Sequence, residues 1–173
     1  MTKQGNSYSL WLRPSQTQID ELMKIISRLS HRYRTTPFPP HITLLPSVAS
    51  NINDLLEICA QITKQFPAFE IQLEGIAYTP AYFKNLFIFA KTEDPLIELY
   101  KQATKLLDYQ PNGDYMPHVS LLYGNLDEKK QQALKKELTN SYTKVFSCQR
   151  LDLYNTTNHE SQWHLIESFR FKS

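Results

Sequence analysis

Apolar residues recur along the chain in two periods, and the switches between them outline the elements. Tyr8-Ser9-Leu10-Trp11-Leu12 predicts a strand, closed by Pro14. Ser15 with Gln18 three residues later makes a capping box. Ile19, Leu22, Met23, Ile26 and Leu29 then recur at helical spacing. Thr35 to Pro40 holds three prolines and must deliver the chain, extended, into His41-Ile42-Thr43-Leu44-Leu45. Asn53 is placed to cap a second helix that runs through Gln65 and ends before Pro67. Phe69 to Tyr78 alternates as a strand, and Lys84 to Lys91 reads as another. Asp94-Pro95 supplies a cap and first turn for a helix with Leu96, Leu99, Tyr100, Ala103, Leu106 and Leu107 on its apolar face. Gln110-Pro111-Asn112-Gly113 is turn chemistry. His118 to Tyr123 follows as a strand, Asp127 to Leu138 as a lysine-rich surface helix, and Val145 to Tyr154 and Trp163 to Phe171 as closing strands around a turn at Asn155 to Asn158.

The order β-α-β-α-β, then β-α-β-α-β-β, implies a duplication, and the residues support it. Pro40-His41-Ile42-Thr43-Leu44-Leu45 matches Pro117-His118-Val119-Ser120-Leu121-Leu122 at every position, taking Ile for Val and Thr for Ser. The copies stand 77 residues apart. The same offset carries Ile19, Leu22, Met23, Ile26 and Leu29 onto Leu96, Leu99, Tyr100, Ala103 and Leu106. Tyr8 to Leu12 lands on Asn85 to Phe89; beyond the motif the match needs a residue of slack. The expected fold is α+β: one domain, 1–173, made of a duplicated β-α-β-α-β unit. Its two lobes, about 1–80 and 81–173, carry antiparallel-type sheets facing each other across a pseudo-twofold central cleft. The period is too long for a solenoid.

Composition narrows the class. With 173 residues, 41% hydrophobic and 21% charged, the chain has room for one substantial core. Its longest strongly apolar run, Leu86-Phe87-Ile88-Phe89-Ala90, is far short of the ~20 residues a membrane helix needs, so no membrane is expected. Met1 to Asn6 is polar and holds no signal core. Only Cys59 and Cys148 are present, which excludes a disulfide scaffold and favours the cytoplasm. A formal charge of +2 advertises no long nucleic-acid track.

The chemistry sits in the repeated hexapeptide. Alternation along a strand puts His41 and Thr43 on one face and Ile42 and Leu44 on the other, under the helices. His118 and Ser120 do the same in the second copy. A pseudo-twofold brings one imidazole and one hydroxyl from each side into a single cleft. That set suits phosphodiester chemistry without a metal: one histidine takes a proton from water while the other protonates the leaving oxygen. The hydroxyls donate to non-bridging phosphate oxygens. A single His-x-Ser/Thr carries no weight, since His159-Glu160-Ser161 is a third instance in a polar turn with no partner at the repeat offset. His31, His159 and His164 lie far from both motifs, no carboxylate falls within either hexapeptide, and no zinc-site spacing occurs, so neither a metal nor any other cofactor is expected. Phosphate-binding glycine loops and nucleophile elbows are also absent.

Twin His-x-Thr/Ser motifs in a duplicated α/β domain resemble the 2H phosphoesterase superfamily, and within it the plant and yeast type of cyclic phosphodiesterase. The likeness covers nearly the whole chain: Tyr8-Ser9-x-Trp11, Pro40-His41-x-Thr43, Tyr82-Phe83, and Tyr115-Met116-Pro117-His118-x-Ser120-Leu121-Leu122-Tyr123. The resemblance implies opening of 2′,3′-cyclic nucleotides to 2′-phosphates, and of ADP-ribose 1″,2″-cyclic phosphate to the 1″-phosphate. His41 and His118 become the acid/base pair and Thr43 and Ser120 the phosphate-binding hydroxyls. Trp11, Phe83 and Tyr123 become the residues that hold base or ribose; core packing is the alternative for Trp11 and Phe83. Strict alternation places Tyr123 on the face opposite His118, so it reaches the cleft only if the strand twists or ends there. The first motif ends in Pro46 rather than the glycine-containing turn of the bacterial RNA-ligase-like branch, which counts against RNA ends as substrate. A monomer is expected. The competing readings are an RNA-end or 2′-5′ oligoadenylate phosphodiesterase, with Lys24, Arg28, Arg32 and Arg34 as an extended track, and a non-catalytic nucleotide or RNA binder.

Overall fold

In the computed structural model, which describes residues 6–173, the elements follow the predicted order. They are β1 (Tyr8–Pro14), α1 (Gln16–Tyr33), β2 (Ile42–Val48), α2 (Ile52–Gln65), β3 (Phe69–Ala77), β4 (Leu86–Ala90), α3 (Leu96–Leu106), β5 (His118–Leu122), α4 (Glu128–Leu138), β6 (Val145–Asn155) and β7 (His164–Arg170). The polar stretch read as lacking a signal core lies, from Met1 to Gly5, outside the described residues. Among the described residues no helix is long and apolar enough to cross a membrane.

Three helix starts differ from expectation. Ser15 precedes α1, but its side chain makes no cap bond. Gln18 does not close a capping box because β6 claims it: its Nε2 donates to the Val145 carbonyl at 2.7 Å and its Oε1 accepts from the Ser147 amide at 2.9 Å. β1 pairs with β6 only as far as Cys148, so the Gln18 amide extends the ladder where that strand has run out. Asn51, not Asn53, caps α2, its side chain accepting from the Asn53 amide at 2.8 Å. Asp94 does not cap α3; a cis Asp94–Pro95 bond intervenes and Pro95 stands at the cap. Asp127 does cap α4, accepting from the Lys130 amide at 3.0 Å.

All strand pairings are antiparallel, in the order β1-β2-β5-β4-β3-β6-β7, with β1 also on β6. The β1–β6 pairing closes six strands into a ring, and β7 extends it from β6. Each half of the chain contributes strands throughout, since β3 lies between β4 and β6. The ring is narrowest at β2–β5, joined by the single pair Ile42↔Val119. Those residues are 77 apart, so each is paired with its own repeat equivalent, as a twofold axis through the pair requires. The helices pack crosswise. α1, from the first repeat, lies on β5, and α3, from the second, lies on β2. Ile42, Leu44, Val119 and Leu121 are fully buried beneath them. Leu22, Ile25, Ile26 and Leu29 form the buried face of α1, with Ile19 and Met23 left half-buried at its margin.

Candidate active site

The seam between β2 and β5 floors a cleft of about 550 Å³ lined by His41, Thr43, His118 and Ser120, together with Trp11, Phe83 and Tyr123. The seven residues picked out by the sequence thus border one cavity. A groove of about 590 Å³ between α1 and residues 140–146 carries none of them.

Both imidazoles are held alike. The Nδ1 atom of His41 lies 2.7 Å from the Pro39 carbonyl, and that of His118 lies 2.8 Å from the Met116 carbonyl. A carbonyl can only accept, so Nδ1 carries the hydrogen in each ring. That leaves Nε2 free to take a proton when the ring is neutral or to give one when it is charged. Positions 39 and 116 are again repeat equivalents, and because the acceptor is main chain, Pro and Met serve equally well.

Burial lowers the proton affinity of both histidines. His41, 5% exposed, is pushed down to about 3, first by burial and then by the positive charge of Arg13 and by His118, against the Pro39 hydrogen bond. His118 is lowered first by burial, opposed by its Met116 hydrogen bond, with Lys84 adding a smaller push. The Ser120 hydroxyl donates to the Phe83 carbonyl at 3.0 Å. Thr43 is half-buried on the cleft wall, and the Tyr115 hydroxyl donates to its carbonyl at 3.3 Å.

The aromatics divide into supports and open surfaces. Trp11 stacks on His41 with centroids 3.6 Å apart and planes 3° from parallel, and on Tyr154 at 3.8 Å. These neighbours come from the residue that leads into β2 and from β6, on either side of β1, so both indole faces are covered and only an edge meets the cleft. Trp11 is therefore both core and cleft wall, 2% exposed, its Nε1 donating to the Ser9 hydroxyl at 2.9 Å. Phe83 is 47% exposed, edge-on to Tyr123 at 5.1 Å. Tyr123 reaches the cleft because β5 ends at Leu122, which releases it from alternation; its ring stacks on Phe38 at 3.6 Å.

Among the lining residues that the sequence did not single out for the site, Trp163 and Lys84 matter most. Trp163, just before β7, stacks on Phe83 at 5.6 Å. Lys84 is the only lysine or arginine among the described residues that line the cleft. Adjacency to Tyr82-Phe83 was the available signal for Lys84. Trp163 had none, since only the return of β7 beside β6 brings it to the cleft. His159 lies exposed outside the cleft, bonded within its own turn to Ser161. Among the described residues no three His, Cys, Asp or Glu side chains gather as a metal site.

A family model of the 2′-5′ RNA ligase superfamily matches residues 11–160, most of the chain and both motifs. The chain belongs to that superfamily. The resemblance to the 2H phosphoesterases holds, and so does the α+β fold expected from it. A cyclic phosphodiesterase of Arabidopsis thaliana is 23% identical over 133 residues, 76% of this chain and 74% of that protein. Escherichia coli LigT, solved with 3′-AMP, superimposes with a TM-score of 0.63 at 10% identity, covering 97% of this chain and 99% of that one. The TT0787 protein of Thermus thermophilus gives 0.67 at 12% identity, covering 96% and 98%. At such identities the two structures show the fold of this 2′-5′ RNA ligase superfamily member, and the family and the plant relative support a phosphoesterase hydrolase.

Proposed function

We propose that this chain hydrolyses cyclic phosphodiesters of small nucleotides without a metal. Its substrates are 2′,3′-cyclic nucleotides, opened to 2′-phosphates, and ADP-ribose 1″,2″-cyclic phosphate, opened to the 1″-phosphate. One of the pair His41 and His118 removes a proton from water while the other protonates the leaving ribose oxygen. Thr43 donates to a non-bridging phosphate oxygen, where charge grows in the transition state, and Ser120 does the same by turning its hydroxyl away from the Phe83 carbonyl. Phe83 and Tyr123 offer rings to base or ribose, and Trp11 offers its edge.

The observation that carries the reading is the matched pair of imidazoles, each pinned through Nδ1 to a main-chain carbonyl with Nε2 left for chemistry, at the entrances to the paired strands β2 and β5. Cleft size supports a small substrate, since about 550 Å³ lies within the ~300–1,000 Å³ usual for small-molecule sites. The LigT structure holds a mononucleotide of comparable size, 3′-AMP. Lys24, Arg28, Arg32 and Arg34 do not line the cleft, and both Arg28 and Arg32 are ion-paired with Glu137 of α4. That favours a nucleotide over an RNA end or a 2′-5′ oligoadenylate.

The test is a panel of cyclic phosphates in excess EDTA, including 2′,3′-cAMP and ADP-ribose cyclic phosphate, with products identified by NMR. The expected result is turnover of at least one to the stated monoester. Tight binding without turnover of any would make the protein a nucleotide binder instead. Preference for an oligonucleotide, with affinity falling steeply in salt, would move it to the RNA-end branch.

A further inference from the structure

The hexapeptide makes the two histidines alike, but their surroundings do not. On β1, Arg13 follows Trp11 on the same face. The register pairs Trp11 with Thr43 and Leu12 with Ile42, so Arg13 stands across from His41. It is 7% exposed, and its Nε lies 3.5 Å from Asp152 Oδ2. Neither Nε nor Nη1 makes a hydrogen bond. Asp152, 4% exposed, also accepts from the Ser168 hydroxyl of β7. Across the pseudo-twofold, Phe87 pairs with Ser120 and Phe89 pairs with His118. Phe87 therefore takes the place of Trp11, packing edge-on against His118 at 5.1 Å, and Phe89 takes the place of Arg13. The charge near His118 is Lys84, half-buried on the cleft wall.

This difference matters most when substrate is bound. Lys84 lines the cleft and can pair with an incoming phosphate, which relieves its pressure on His118. Arg13 does not line the cleft, and a guanidinium does not give up its proton, so its charge stays beside His41. The titratable and charged groups around His41 are Arg13 from β1, His118 from β5, and Arg150, Asp152 and Tyr154 from β6. The one carboxylate among them is already engaged by Arg13 and Ser168.

We propose that Arg13, held by Asp152, is a positioning residue that keeps His41 neutral and so divides the labour: His41 is the base and His118 the acid. This rests on the phosphodiesterase reading above. His41 Nε2 takes a proton from water, whose oxygen bonds to phosphorus. The P–O3′ bond breaks and O3′ takes the proton from His118 Nε2. The nucleoside 2′-phosphate leaves, and the two imidazoles exchange protons with solvent.

A substrate with sulfur in place of O3′ tests this, because a thiolate leaves without being protonated. On the 2′,3′-cyclic 3′-S-phosphorothiolate in EDTA, His118→Ala should recover ~10-fold or more of the rate it loses on the oxygen substrate, and His41→Ala should recover none. Arg13→Met should move the acidic limb of the kcat/KM profile to higher pH, while Arg13→Lys retains the wild-type limb. Recovery by His41→Ala instead, or by both variants equally, overturns the assignment even if Arg13→Met fails to fold. Should wild-type protein hydrolyse neither substrate, the phosphodiesterase reading itself falls.

Discussion

The His41 and His118 halves of the cleft share a motif and a hydrogen bond but not a neighbourhood. In each, Nδ1 is fixed by the carbonyl two residues earlier, and in each the strand hides its apolar face under a helix from the other repeat. Around His41 the support is a fully covered Trp11 backed by a buried arginine–aspartate pair. Around His118 it is an edge-on Phe87, a half-exposed Phe89 and the cleft-wall Lys84. Main-chain geometry thus preserves what both halves must share, while side chains on the adjoining strands are free to make the halves differ.

Variants that strike one half at a time sharpen that contrast. Removing a buried Trp or Phe ring costs about 3–5 kcal/mol. Trp11→Ala should lie at the upper end in urea unfolding and Phe87→Ala lower, because Trp11 alone stacks on two partners; equal losses would mean that the stacking contributes nothing. Next come the hydroxyls. Hydrogen bonds to a charged group are worth about 1.5–3 kcal/mol, so Thr43→Val and Ser120→Ala should each slow kcat/KM by roughly 10- to 100-fold. Ser120→Ala should be the milder, since its proton is already committed to the Phe83 carbonyl; the reverse order would argue that Ser120 turns to the phosphate without penalty.

Lys84→Met should raise KM several-fold at low salt and leave kcat nearly unchanged, measured by initial rates at two ionic strengths. A fall in kcat with constant KM would place Lys84 in the chemical step. A separate contrast lies in acid stability. His41 binds its proton far more weakly folded than unfolded, so its contribution to stability is whole above pH ~6.5 and is lost as pH falls towards about 3. Urea midpoints measured down this range should therefore fall more gently for His41→Gln than for wild type. Parallel curves would show that His41 is not buried neutral.

Much of this was legible in the chain, for identifiable reasons. Periodicity marks α1 and α3 because their buried faces are continuous, and the hexapeptide marks the seam because both copies keep every residue type. The helix partners were not legible: nothing in the spacing of Leu22 or Leu99 says that each helix crosses to the other repeat's strand. Gln18 satisfies the sequence rule for a cap, yet the open edge of β6 offers its amide two bonds instead of one. Arg13 sits between Leu12 and Pro14 with no local mark, because its meaning depends on Asp152, brought opposite Trp11 by the β1–β6 register. Tyr123 reaches the cleft on the one condition alternation allows, the end of β5 at Leu122, which no residue in the sequence marks.

The two-histidine reaction itself is tested most directly by steady-state turnover of the best cyclic phosphate in excess EDTA, comparing wild type with His41→Ala and His118→Ala. Each variant should lose ~10²-fold or more in kcat/KM while remaining folded. Normal turnover by either variant would contradict the mechanism.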